Sequence, residues 1–172
     1  MKYKCTNCGK EHEDFPALAF SSPTPYNGLT NAEKLTIAEL TSDFCIIEYG
    51  DQTDRFVRAV LEQKLTDSCQ SLEYGVWVSL SEESFEDYKI NFNNPDYKAH
   101  YFGWFCSQIP EYQDTMNLRT NVITQGGRRR PIIQLQNAND QDNDFVKDYF
   151  EGITEQEAIR RISNMMNQIN PN

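Results

Sequence analysis

The sequence predicts an α+β fold: a single domain, mainly antiparallel sheet with flanking helices, carrying a cysteine hook at its N-terminus. Two observations predict it. Short runs rich in Val, Ile, Phe and Trp cluster in the middle of the chain. Helical spacing and capping signals stand apart from them, most clearly near the C-terminus. The domain is taken as 1–172, with the hook at 1–14, mostly sheet at 15–136 and C-terminal helices at 140–170. A chain of 172 residues buries enough surface to fold without disulfides.

Taken in order, residues 15–29 (FPALAFSSPTPYNGL) hold three prolines and an Asn-Gly pair, an extended piece followed by a loop. Residues 31–40 place Ala32, Leu35 and Leu40 near helical spacing, although Thr36 and Ile37 also suit an extended chain. Phe44 to Glu48 and Arg55 to Leu61 flank turn residues Asp51 to Asp54 and predict a hairpin. Tyr74 to Leu80 alternates and predicts a strand. Ser81 then caps a helix whose first turns hold Glu82, Glu83 and Glu86, where the helix dipole favours anions. Asn93-Asn94-Pro95 closes it.

Tyr101 to Cys106 is a further aromatic strand or a buried turn. Asn117 to Thr124 and Pro131 to Gln136 flank a Gly-rich tip at Gln125 to Arg128, a second hairpin. An acidic turn at Asp140 to Asp144 precedes a helix at Phe145 to Phe150. Thr154 with Glu157 is a capping box that opens a last helix, and Ala158, Ile162, Met165, Met166 and Ile169 give it one apolar face.

Composition excludes several classes of function. The formal charge of −10 and the lack of a basic stripe argue against nucleic acid. An acidic membrane surface repels such a chain, and no apolar stretch approaches the roughly 20 residues of a span. A basic protein partner is attracted. The N-terminus lacks the apolar core of a secretory signal, and five cysteines form an odd set, so reduced thiols in a cytoplasm are expected.

Three constellations carry possible chemistry. Cys5-Thr6-Asn7-Cys8-Gly9 sets two thiols on one knuckle, with Gly9 free to take a left-handed backbone and His12 three residues after the knuckle. Zinc wants four such ligands, and Cys45 is the first choice for the fourth, with Cys69 and Cys106 behind it. A closed site of that kind is structural. Free thiols and a redox pair are the alternatives, the latter lacking its βαβ context.

The second constellation is aromatic. Trp77, Trp104 and Tyr112 either wall a pocket or pack in the core. The third is Arg128-Arg129-Arg130, which either clamps a carboxylate or phosphate, lies in a solvated turn, or pairs with an internal acid. Arg130, just before Pro131, is the one expected to point inward. Catalytic sets are poor: His100 is a lone base, and no nucleophile elbow or phosphate-cradling glycine loop is present.

Several segments together carry a family resemblance: CxxCGxxH at Cys5 to His12, DFCII at Asp43 to Ile47, DRFVRAVLE at Asp54 to Glu62 and YGVWVSLSEESF at Tyr74 to Phe85. YFGWFCSQIPEYQDTMNLRT at Tyr101 to Thr120, RRPIIQL at Arg129 to Leu135 and EGIT at Glu151 to Thr154 continue it. In that order they resemble the bacterial domain of unknown function 2199 family. The resemblance implies one compact domain and places Cys5, Cys8 and Cys45 in one pattern. It implies no activity. Where relatives resemble an Asp-His-Pro-Leu stretch, this chain has Asn139-Asp140-Gln141-Asp142, which argues against an enzyme.

The expected function is therefore a non-catalytic protein-binding domain with a structural zinc site. An immunity-type inhibitor of a basic partner is one form of it. The alternative is an enzyme with a pocket lined by Trp77, Trp104 and Arg130.

Overall fold

The structure is a computed structural model that describes residues 2–4, 9, 11–136 and 142–169. Its centre is a ring of five strands: β6 (Thr53–Lys64), β7 (Ser71–Ser79), β8 (His100–Phe105), β9 (Arg119–Ile123) and β10 (Ile132–Leu135). Each strand pairs antiparallel with the next, and β10 returns to β6 in parallel. That parity is forced. Strands laid up and down in odd number bring the last beside the first in the same direction. Two further strands extend the sheet from β6: β5 (Phe44–Glu48) and, beyond it, β4 (Ala38–Leu40). On the other side β3 (Leu18–Ala19) pairs with β7 in parallel.

Strand alternation gives the ring an inside. Val57, Ala59 and Leu61 of β6, Tyr74, Val76 and Val78 of β7, Val122 of β9 and Ile133 and Leu135 of β10 fill it. Helix α3 (Glu82–Asn91) adds Phe85 and Tyr88 to this core. Helices α4 (Asp144–Glu151) and α5 (Glu155–Ile169) add Phe145, Val146, Ala158 and Ile162. Each such large apolar side chain contributes roughly 1.5–3 kcal/mol by leaving water. A second, smaller cluster lies on the outer face, where Cys45, Ile47, Phe56, Trp77 and Cys106 meet Phe20, Tyr26 and Leu29 from the covering segment.

The helix starts follow the local chemistry. Ser81 Oγ accepts from Ser84 N–H at the head of α3, as expected. Thr154 Oγ1 accepts from Glu157 N–H, but the Glu157 carboxylate turns to Arg160 and Arg161 instead of back to Thr154, so that capping box is half formed. A complete box forms elsewhere, between Thr30 and Glu33.

One predicted element is corrected. The helix expected over 31–40 stops at Thr36 as α2 (Asn31–Thr36), and β4 follows at once. Ile37 leaves helical geometry at φ −121°, ψ −3°. β-branched Thr36 and Ile37 weaken the helix, and Leu40 finds a strand partner in Cys45. A short helix α1 (Thr24–Asn27) lies in the Pro-rich loop.

At the N-terminus β1 (Lys2–Lys4) and β2 (Glu11–Glu13) pair antiparallel, with Tyr3 opposite His12. Gly9 takes the left-handed backbone expected of it, at φ 71°. Cys5, Cys8 and the His12 side chain lie outside the described residues. The β9–β10 hairpin turns through Gly126 and Gly127 at φ 73° and 61°. A Cβ at Gly126 would run into the Pro95 carbonyl oxygen, so this position needs glycine for space as well as for backbone conformation. Among the described residues no helix is long and apolar enough to cross a membrane.

Candidate functional site

The outer face of β8 leaves two neighbouring aromatics exposed. Gly103 and Phe105 face the ring, so Phe102 and Trp104 must face out. They remain 47% and 41% exposed, and their rings meet edge to face at 4.9 Å and 88°. Asn121 and Arg119 of β9 stand opposite them, and Ser79 of β7 lies on the other side of Trp104. Gly103 lets these strands close in, since a Cβ there would approach the Ser79 carbonyl to 3.0 Å.

Cys106 Sγ donates to the Trp104 carbonyl at 3.3 Å. Burial pushes the Cys106 thiol up to about 11, with Ser79 pulling it down and the Asp54 carboxylate adding to the rise. Tyr49, 42% exposed, is also raised, by burial and then by Asp54, Cys45 and Glu33.

The residues expected to form a pocket occupy separate settings. Trp77 is fully buried in the outer cluster, and its indole N–H donates to the Phe20 carbonyl at 2.9 Å. Its polar handle is used internally. Trp104 lies on the exposed β8 face described above. Arg130 donates from Nε to Asp43 Oδ1 at 2.9 Å, the internal ion pair considered for it. Tyr112 donates to Asp148 Oδ2 at 2.6 Å.

Cys45, expected as a zinc ligand, is fully buried among Ile47, Phe56, Trp77 and Cys106. Burial pushes its thiol up to about 12. Among the described residues, no group of three His, Cys, Asp or Glu side chains converges on a metal position.

Tyr112 belongs to a polar centre that sequence reasoning missed. Arg161 of α5 is 3% exposed. It donates from Nε to Glu157 Oε1 at 2.8 Å, from one terminal nitrogen to Tyr74 Oη at 3.0 Å and from the other to Tyr112 Oη at 2.7 Å. Asp148 Oδ2 lies 3.5 Å away. Burial opposes the charge, but Tyr74, Glu157 and Tyr112 outweigh it and hold the guanidinium above its ordinary range. Arg160 and then Arg161, working against burial, pull the Glu157 carboxyl down to about 2. This centre clamps α4 and α5 to the ring. The available signal was positional: Arg161 falls on the Ala158 and Met165 face of an amphipathic helix.

A second cluster joins α3 to β8. The Asp87 carboxylate accepts from the hydroxyls of Tyr97 and Tyr101, and both bonds hold it below the usual carboxylate range.

No curated protein and no solved structure matches this chain. Residues 4–153, from the hook through the ring to the strand-like contact of Ile153 with Leu65, match the family described as "Uncharacterized protein conserved in bacteria (DUF2199)". The chain belongs to that family.

Proposed function

We propose that the protein is a non-catalytic protein-binding domain whose contact surface is the outer face of β8. The observation that carries this reading is the exposed Phe102 and Trp104 pair. Aromatic side chains dominate interface energetics, and an edge-to-face pair presents area at low entropic cost. A net charge of −10 favours a basic partner through steering. An immunity-type inhibitor that covers a basic toxin is the specific form of this reading.

The test compares wild-type protein with a Phe102→Ser, Trp104→Ser variant as bait in the producing cells. A basic protein recovered in stoichiometric amount by wild type, and at least about tenfold less by the variant, is expected from losing two aromatic anchors. Equal recovery on both baits would overturn the assignment of the surface. No stoichiometric partner at all would overturn the function.

A structural zinc site in the hook is the second part of the proposal. Its support is the antiparallel pairing of β1 with β2 on either side of Cys5 and Cys8, and the left-handed Gly9 directly after Cys8. Cys5, Cys8 and His12 would hold the ion. Cys45 reads better as a core thiol. Elemental analysis is expected to find stoichiometric zinc in the native protein and a loss in Cys5→Ser. Zinc-free native protein with an unchanged Cys5→Ser melting curve would end this part. The enzyme alternative has less support, because Trp77 is covered and Arg130 is already paired.

A further inference from the structure

We propose that Arg58, beside the Arg130–Asp43 ion pair, is the binding site for an oxyanion, a phosphate or carboxylate group of a small molecule, where β6 changes partner. Ahead of this point β6 pairs with β5, up to Val57 opposite Phe44. Beyond it β6 pairs with β10, from Val60 opposite Ile132. Arg58 sits in the fork. Its own N–H donates to the Asp43 carbonyl at 2.9 Å, and Arg130 lies just ahead of β10.

The Arg58 side chain is half-buried and poorly partnered. Among the described residues, its side chain makes one hydrogen bond, a 3.5 Å contact from a terminal nitrogen to the Ser42 carbonyl. Its Nε has neither a partner nor access to solvent. An orphaned buried donor on a charged group costs more than a neutral one. Among the described residues, the carboxylate that offsets its charge is already engaged: Asp43 Oδ1 accepts from Arg130 and Oδ2 from Ser42 Oγ. Two guanidiniums therefore share one acid. Burial and the repulsion of Arg130 together outweigh the help from Asp43 and leave Arg58 below its ordinary range. An arginine does not shed its proton in response, so the charge persists with only a shared counterion. Buried Tyr88 also senses Asp43 and Arg130, and its hydroxyl is a further polar group at the fork.

A forked guanidinium with free N–H groups recognises planar carboxylates and phosphates in two-point fashion. The β8 surface proposal plays no part in this argument, so either can fail alone.

The test is thermal melting in phosphate, acetate and chloride at equal ionic strength. Phosphate or acetate is expected to raise the wild-type Tm beyond chloride. At ten times the dissociation constant the gain is about elevenfold in the folding equilibrium, or about 3–6 °C. The larger of the two responses identifies the ligand as a phosphate or a carboxylate. Arg58→Met is expected to melt no lower than wild type in chloride and to lose the anion-specific rise. If that variant folds too poorly to melt, Arg58→Lys keeps the charge, removes the fork and should lose most of the rise. A nitrogen–proton correlation spectrum supplies a direct readout, since the Arg58 Nε–H resonance should move on titration with phosphate or acetate. A wild-type response no larger than chloride, a full rise in Arg58→Met, or a static Nε–H resonance would overturn the site.

Discussion

Replacing Arg161 with Met keeps most of the side-chain volume and removes the charge. A hydrophobic substitute for a buried ion pair is often harmless when both partners go together. Here only one goes. The Glu157 and Asp148 carboxylates would stay, together with the hydroxyls of Tyr74 and Tyr112 that now receive Arg161 protons. Breaking a buried pair from one side costs about 3–5 kcal/mol. Glu157 keeps Arg160 and Asp148 keeps the Tyr112 hydroxyl, and their side chains are 28% and 37% exposed, so water shares the burden. The low end, about 3 kcal/mol, is therefore expected, or a fall of roughly 6–12 °C in Tm. Urea unfolding near neutral pH measures it. The same centre predicts an acid limb. Glu157 is depressed from 4.5 to about 2, first by Arg160 and further by Arg161. A depressed carboxyl contributes stability that is complete above its unfolded pKa and disappears as pH falls through its folded one. Wild-type stability should thus decline between about pH 4.5 and 2, and Arg161→Met should flatten part of that decline. A loss below about 1 kcal/mol with an unchanged acid limb would refute the claim that Arg161 clamps the helices.

Three further outcomes follow from the fold. Phe102→Ser with Trp104→Ser should leave the unfolding free energy within about 1 kcal/mol of wild type, because both rings are already half in water; a large loss in urea unfolding would mark them as core. Gly126→Ala should cost upward of about 1–3 kcal/mol, from its φ of 73° and the obstructing Pro95 carbonyl, whereas Gly50→Ala, with open space around it, should cost only its backbone strain. Trp77→Ala should lose about 3–5 kcal/mol by emptying the outer cluster and orphaning the Phe20 carbonyl, read as a lowered urea midpoint.

The strands were legible because their burial is one-sided or complete. Tyr74 to Leu80 shows its period in Val76 and Val78, and Ser81 announces the helix that follows. The turn at Gly126 was legible because a left-handed backbone leaves glycine in the sequence. The closure of β10 on β6 was not. That contact joins Val60 to Ile132, far apart along the chain, and no local pattern encodes a long-range pairing. The helix over 31–40 was overdrawn for the opposite reason. Its apolar spacing is real, but Leu40 is satisfied by Cys45 on the next strand.

Candidate site residues divided along the same line. An aromatic side chain reads alike whether it is core or surface, because composition carries no direction. Trp77 and Trp104 differ only in what lies over them: the segment carrying Phe20, Tyr26 and Leu29 covers the first, and water reaches the second. Register decides exposure, and register is set by partners far along the chain. Charge on an apolar face is more informative. Arg161 stands in line with Ala158 and Met165, and Arg58 stands between Val57 and Ala59 on a strand buried along much of its length. Solvation alone does not account for a guanidinium at such a position, because desolvating it is costly unless something compensates. At Arg161 the chain supplies the compensation itself, through Glu157 and Asp148. At Arg58 it supplies a 3.5 Å contact to a carbonyl and an acid already paired with a second arginine, and that imbalance is why a ligand is assigned to complete the pairing.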